Sequence, residues 1–253
     1  MKLTVLGAGP SFPNPGGASS SYLVSHDGLS LLVDCGHGSC SRLFSLLDPR
    51  SLAGIVLSHL HPDHFFDLIP LTYALRFRYT GGPRIPLWLP PDATAVLERF
   101  FAALGLDRHF LNPCFDSAEF DPDCVLAAGS CRVRFAPTEH FVAAYAMRFT
   151  PAASETPCLA YTSDTGPSTA VTELLRGADL ALIEASQLAY PPDERDHGHL
   201  TATEAGRLAA SSGVRRILLT HYADSQADDL VRLAAGEFNG PVGLAREGES
   251  YDV

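Results

Sequence analysis

Four apolar runs of strand length in this chain each end on a residue that can ligate a metal ion. Ile55-Val-Leu-Ser58 stops at His59, and Val133-Arg-Phe-Ala-Pro-Thr-Glu139 stops at His140. Leu159-Ala-Tyr-Thr-Ser163 stops at Asp164, and Ile217-Leu-Leu-Thr220 stops at His221. Taken singly, a loop His or an Asp in a turn is ordinary. Four repetitions call for a fold that gathers the carboxyl ends of several buried strands in one place, as open α/β sheets do.

The first of these runs continues as His59-Leu60-His61-Pro62-Asp63-His64, three imidazoles and a carboxylate in six residues of a chain that has ten His in 253. Alternation puts His59 and His61 on one side of an extended segment. Pro62 suits the first turn of a helix, where its missing N–H is not needed. The change of backbone direction aims Asp63 and His64 at a second point, so the segment predicts two metal ions. Imidazole and carboxylate favour Zn²⁺, and Mn²⁺ or Fe accept the same ligands.

Strand-like runs alternate with amphipathic helical stretches along the chain, which predicts an α/β architecture. Strands are expected at 2–6, 21–25, 29–34, 54–58, 86–89, 131–137, 143–149, 158–163, 180–184 and 216–220, and helices at 38–47, 63–77, 92–104, 169–176, 201–211 and 227–237. Thr201-Ala-Thr-Glu204 reads as a capping box. The glycine- and proline-rich stretch from Gly7 to Gly17 must be a loop. It is not a dinucleotide-binding turn, since no GxGxxG leads into a helix. With 253 residues, 46% of them hydrophobic, the chain is expected to form a single domain over 1–253.

Its net charge is −11, and Lys2 is the only Lys among 18 basic residues. That balance works against non-specific binding to a polyanion. No run approaches the ~18 apolar residues of a membrane span. The opening is strand-like rather than a basic and apolar leader, so a cytoplasmic, non-membrane protein is expected. The six Cys lack CxxC spacing and are read as reduced thiols.

The ligand motifs resemble those of the metallo-β-lactamase fold superfamily. His59, His61, Asp63 and His64 match its HxHxDH signature; His140, Asp164 in Thr-Ser-Asp-Thr, and His221 in Leu-Thr-His match its later motifs in order. The opening Leu-Gly-x-Gly loop and the Leu-Leu-Val-Asp34-Cys-Gly segment extend the resemblance over nearly the whole chain. It implies a four-layer αββα sandwich with a dinuclear, usually zinc, centre. His59, His61 and His140 would hold one ion and Asp63, His64 and His221 the other, with Asp164 bridging.

Fold alone does not set the reaction. Glu184 in Leu-Ile-Glu-Ala-Ser, followed by Asp-His197-Gly-His199-Leu-Thr-Ala-Thr-Glu-Ala-Gly, is similar to the Glu and His pair of the RNase Z-like phosphodiesterase branch. There the Glu orients the His beside the scissile phosphate; His197 is read as a loop residue. Asp63 would orient the attacking water or accept its proton, and His199 would stabilise developing charge or protonate the leaving alkoxide. RNase Z carries a long basic arm, in one branch inserted between the motifs of His140 and Asp164. Here only Phe141 to Ser163 separate them, enough for two strands and a turn. A small phosphodiester, such as a cyclic nucleotide, is therefore favoured over long RNA. The motifs also resemble a compact cyclic-nucleotide phosphodiesterase-like branch. Arg76, Arg78 and Tyr79 follow the first site helix and are open to either a phosphate-facing or a surface role. The rival readings are tRNA 3′-end cleavage and a lactonase or thioesterase activity, and relatives are often homodimers.

Overall fold

A computed structural model of the protein describes residues 1–190 and 198–253. Fourteen strands and seven α-helices are present among the described residues. The strands are β1 Lys2–Gly7, β2 Ser21–His26, β3 Leu29–Val33, β4 Gly54–Val56, β5 Ile85–Leu89, β6 Phe115–Glu119, β7 Leu126–Ala128, β8 Cys131–Pro137, β9 Tyr145–Pro151, β10 Leu159–Tyr161, β11 Leu180–Glu184, β12 Ile217–Thr220, β13 Val242–Leu244 and β14 Ser250–Asp252. The helices are α1 Ser39–Leu46, α2 Pro62–Phe65, α3 Leu68–Phe77, α4 Ala93–Ala103, α5 Thr169–Leu175, α6 Ala202–Ser212 and α7 Ala227–Ala235.

The strands form two seven-stranded sheets, in the orders β14-β1-β2-β3-β4-β5-β6 and β13-β12-β11-β10-β9-β8-β7. Alternation along each strand sorts the apolar side chains onto opposite faces. Leu3 and Val5, Tyr22 and Val24, and Leu31 and Val33 share a core with residues of β8 to β12, between the sheets. The intervening Leu23 and Leu32 join Ile55 and Leu57 in a second core against Leu43 of α1, Leu71 of α3 and Leu97 of α4. Helices α5, α6 and α7 cover the outer face of the second sheet, with Val171, Ala205 and Leu230 buried there. The layers therefore run αββα, as the sequence resemblance implied.

Within the first sheet, β3, β4, β5 and β6 are parallel, and within the second, β10, β11, β12 and β13 are parallel. Strand β8 is antiparallel to β9, and β9 to β10, so β8 runs the same way as β10. The carboxyl ends of β4, β8, β10, β11 and β12 can then deliver side chains to one edge. The segment from Phe141 to Ser163 holds β9, β10 and their connection, with no added arm.

One expected element differs. The helix expected over 63–77 is two helices, α2 and α3, meeting at Phe66 and Asp67. Pro70 has no N–H to give to the Phe66 carbonyl, so a continuous helix would lose a bond there. Instead Ile69 N donates to the Phe66 carbonyl and Asp67 N to that of Cys35. The Asp67 carboxylate then accepts Cys40 N at 2.8 Å, at the start of α1. The Thr201–Glu204 capping box forms as expected, closing both ways at the start of α6. No described helix is long and apolar enough to cross a membrane.

Candidate metal centre and active site

The seven candidate ligands follow four separate strands, β4, β8, β10 and β12, and meet at one edge of the two sheets. His59, His61, His140 and Asp164 form one group, and Asp63, His64, Asp164 and His221 form a second. In each group the ligand atoms lie within 4.8 Å of one another, and Asp164 belongs to both. His140 Nε2 is 2.9 Å from His61 Nδ1, and His221 Nε2 is 3.0 Å from Asp63 Oδ2. His64 Nε2 lies 3.4 Å from Asp164 Oδ1, while His59 Nε2 lies 3.7 Å from Asp164 Oδ2.

Tight local geometry brings these groups together. Pro62 opens α2, so Asp63 and His64 turn away from the extended His59–His61 segment. Gly36 packs against the Asp63 carbonyl so closely that a Cβ would collide with it. Asp34, Ser163 and His221 have positive φ values of 56°, 55° and 58° at the ends of β3, β10 and β12. Such a conformation costs a non-glycine residue roughly 1 kcal/mol or more and concentrates where a site demands it.

A cation fits the donor set. His59 Nε2, His64 Nε2 and Asp164 Oδ1 are buried with no hydrogen-bond partner among the described residues. A buried polar atom left unpaired costs on the order of 1–3 kcal/mol, more when charged. Three such atoms aimed into two clusters of imidazoles and carboxylates have the chemistry of divalent-ion ligands. Burial would raise the Asp63 carboxyl, but the His221 hydrogen bond and the nearby His64 imidazole hold it well below the usual carboxylate range. Burial likewise opposes ionisation of Asp164, and the surrounding His221 and His64 reverse that effect. Burial depresses His59, His61 and His140, leaving neutral imidazoles.

The surrounding shell is equally specific. Asp34 is fully buried and accepts Ser58 N at 2.7 Å, Ser58 Oγ at 2.8 Å and Tyr161 Oη at 3.0 Å. Its Oδ2 also lies 2.8 Å from His64 Nδ1. His140 Nδ1 donates to the Gly198 carbonyl at 2.7 Å. His221 Nδ1 meets Ser186 Oγ at 2.7 Å. The ring nitrogen opposite each of these bonds is the one that faces the cluster, which is how a carboxylate or carbonyl fixes a ligand's tautomer.

Glu184 and His199 are brought together beside the clusters. Glu184 is fully buried at the end of β11, and its Oε1 lies 3.0 Å from His199 Nδ1 and accepts Thr165 N at 2.8 Å. Its Oε2 accepts Ser186 Oγ at 2.5 Å. Burial alone would depress His199, yet the Glu184 hydrogen bond and charge raise it above the ordinary imidazole value. His199 Nδ1 is 4.0 Å from Asp164 Oδ2, so the pair borders both metal-capable groups.

Not every sequence candidate joins the site. Arg76, Arg78 and Tyr79 lie at the far end of α3, about 15 Å of helix beyond Leu68. The Arg76 and Arg78 guanidiniums sit over the Phe77 and Tyr79 rings, at 5.6 and 5.1 Å. His197 lies outside the described residues. Conversely, Asp34 and Ser186 were not among the candidates. Asp34 follows the apolar strand β3, so the strand-end pattern that marks His59 also marks it.

Comparison with known proteins agrees with this geometry. Residues 30–222 match the Beta-lactamase superfamily domain. The chain is 34% identical over 252 residues to the probable metallo-hydrolase YhfI of Bacillus subtilis, covering 98% of both chains. The crystal structure of that metallo-beta-lactamase fold protein superposes with a TM-score of 0.85, at 30% identity over 99% of this chain and 98% of that one. Ribonuclease Z of Mycobacterium marinum is 28% identical over 278 residues, covering 100% of this chain and 99% of the relative. A diphosphatase from the PhnP family shares the fold, with a TM-score of 0.77 at 22% identity over 100% of this chain and 97% of that one. The chain belongs to the metallo-β-lactamase fold superfamily and is a metal-dependent hydrolase.

Proposed function

We propose that residues 1–253 form one cytoplasmic hydrolase domain that cleaves a small phosphodiester, with a cyclic nucleotide as the leading candidate. His59, His61 and His140 would hold one Zn²⁺, Asp63, His64 and His221 a second, and Asp164 both. Two such ions supply Lewis acidity and a water of lowered pKa, and they offset the charge of an attacked phosphate. The observation that carries the reading is the pair of buried Glu184 and half-buried His199, at 3.0 Å, bordering the metal-capable groups. Glu184 holds the proton on His199 Nδ1, so Nε2 is the nitrogen that would act on the substrate. The Glu184 hydrogen bond and charge raise the His199 pKa, which favours the protonated imidazole that a donor to a leaving alkoxide requires.

The reaction balances as a hydrolysis. A bond forms from water oxygen to phosphorus, the bond from phosphorus to the leaving oxygen breaks, and His199 Nε2 gives that oxygen its proton. The ionised Asp63 carboxylate, held low by His221 and His64, orients the water or takes up its proton. Hydrolysis of a lactone or thioester does not need the Glu184–His199 donor, which counts against those rivals. A tRNA-cleaving role draws support from the ribonuclease Z relative of Mycobacterium marinum. Against it stand the net charge of −11 and the short 141–163 connection.

A hydrolysis panel on metal-defined protein tests this reading: bis-p-nitrophenyl phosphate, 2′,3′- and 3′,5′-cyclic nucleotides, pre-tRNA and a lactone. Turnover of the small phosphodiesters, well above that of the lactone and of pre-tRNA at physiological salt, is the expected result. Preference for the lactone or pre-tRNA would replace the reading with one of its rivals.

A further inference from the structure

Phe141 directly follows His140, and 71% of its surface is exposed. Its ring is nevertheless seated. The centroid lies 5.3 Å from that of His140 and 6.0 Å from that of His199. One edge rests on the Gly198 backbone, where an added Cβ would come within 2.7 Å of Cε2 and 2.9 Å of Cζ. The same Gly198 supplies the carbonyl that receives His140 Nδ1. A large apolar ring is thus held by the backbone that orients a site imidazole, while most of its surface remains open. Val142 beside it is 41% exposed and extends the apolar rim.

Neither the fold nor hydrolysis of the phosphodiester bond requires an aromatic ring there. Water gains nothing from it, since fully burying a Phe side chain would be favourable by roughly 1.5–3 kcal/mol. An aromatic ring anchored on one edge and open elsewhere is the arrangement on which flat π systems stack, and stacking needs no positive charge. That property suits this chain, whose net charge is −11 and whose Arg76 and Arg78 lie at the far end of α3.

We propose that Phe141 determines specificity by stacking on an aromatic group of the substrate, a nucleobase, while the phosphate lies at the His140, Asp164 and His199 end of the site. This assignment rests on the phosphodiester reading and names its substrate class: a nucleotide rather than an aliphatic phosphodiester. Gly198 acts here as a positioning residue, since any side chain on it would displace the ring.

The test uses the metal-loaded enzyme and two probes that differ only in the base. Calorimetry gives the Kd of adenosine 5′-monophosphate and of ribose 5-phosphate for the wild type, Phe141→Ala and Phe141→Trp. Stacking predicts that Phe141→Ala reduces the ratio of the two affinities about tenfold. Phe141→Trp should retain the ratio or increase it. For 3′,5′-cyclic AMP the Phe141→Ala effect should fall on KM rather than kcat. A ratio unchanged in Phe141→Ala, or a wild type that fails to prefer the nucleotide, overturns the proposal. A wild type that prefers the nucleotide but hydrolyses no phosphodiester overturns the catalytic reading alone, and the affinity ratio still decides the role of Phe141.

Discussion

Asp34 Oδ2 lies 2.8 Å from His64 Nδ1, so a carboxylate from the end of β3 fixes which nitrogen of a histidine in α2 faces the metal-capable cluster. The two residues are 30 positions apart, and both are fully buried. Asp34 also gathers both Ser58 donors and the Tyr161 hydroxyl, which joins β10 of the second sheet to β3 of the first. Position, tautomer and inter-sheet packing are thereby set by one side chain.

Asp34→Asn should weaken metal binding at the group containing His64 by about 10–100-fold, the usual loss when a ligand's carboxylate partner is removed. The amide keeps the volume but replaces an acceptor with a donor, which faces donors already in place. Competition with a calibrated chelator measures the change. An affinity equal to the wild type's would show that His64 is held by packing alone.

Ser186 links the two halves of the chemistry, with Oγ at 2.5 Å from Glu184 Oε2 and 2.7 Å from His221 Nδ1. Hydrogen bonds to charged groups contribute about 1.5–3 kcal/mol each. Ser186→Ala should therefore lower kcat for bis-p-nitrophenyl phosphate by about tenfold or more while the protein stays folded by circular dichroism. Wild-type turnover in this variant would remove Ser186 from the network.

Much of this centre was legible from residue type and position, and what was not shares a physical cause. The four strands that sequence periodicity missed, β6, β7, β13 and β14, are the four sheet edges. Edge strands are short and half-solvated, so they lack the apolar run that marks a central strand. In β6 only Phe115 is buried, with Asp116 to Glu119 exposed. Pro70 could have flagged the break between α2 and α3, but the apolar period continues through it and masks it. Asp34 obeys the strand-end rule; its role was hidden because it meets His64 only in three dimensions.

Metal binding should release protons at one group and not at the other. For His64, burial opposes protonation, but Asp164 and Asp34 outweigh it and raise the pKa; for His221, Asp164 and Asp63 do the same. Without metal these imidazoles carry protons near neutral pH, and a cation must displace them. Affinity at the Asp63, His64 and His221 group should thus increase as pH rises above the ordinary imidazole pKa of about 6.5. His59, His61 and His140 are depressed by burial and already neutral, so their group should fill with little pH dependence. Zinc titration of apo-protein by calorimetry in two buffers of different ionisation enthalpy counts the protons. Identical release in both binding steps would contradict this asymmetry.

The most direct measurement is metal content and turnover of His199→Ala, determined on the same preparation. Elemental analysis should give the wild-type complement of two ions per chain, because His199 is a proton donor held by Glu184 rather than a ligand. Hydrolysis of bis-p-nitrophenyl phosphate should fall by about 10²–10⁴-fold, the usual contribution of a positioned acid. Loss of an ion from His199→Ala, or full metal with undiminished turnover, would contradict the assignment of the Glu184–His199 pair to phosphodiester cleavage.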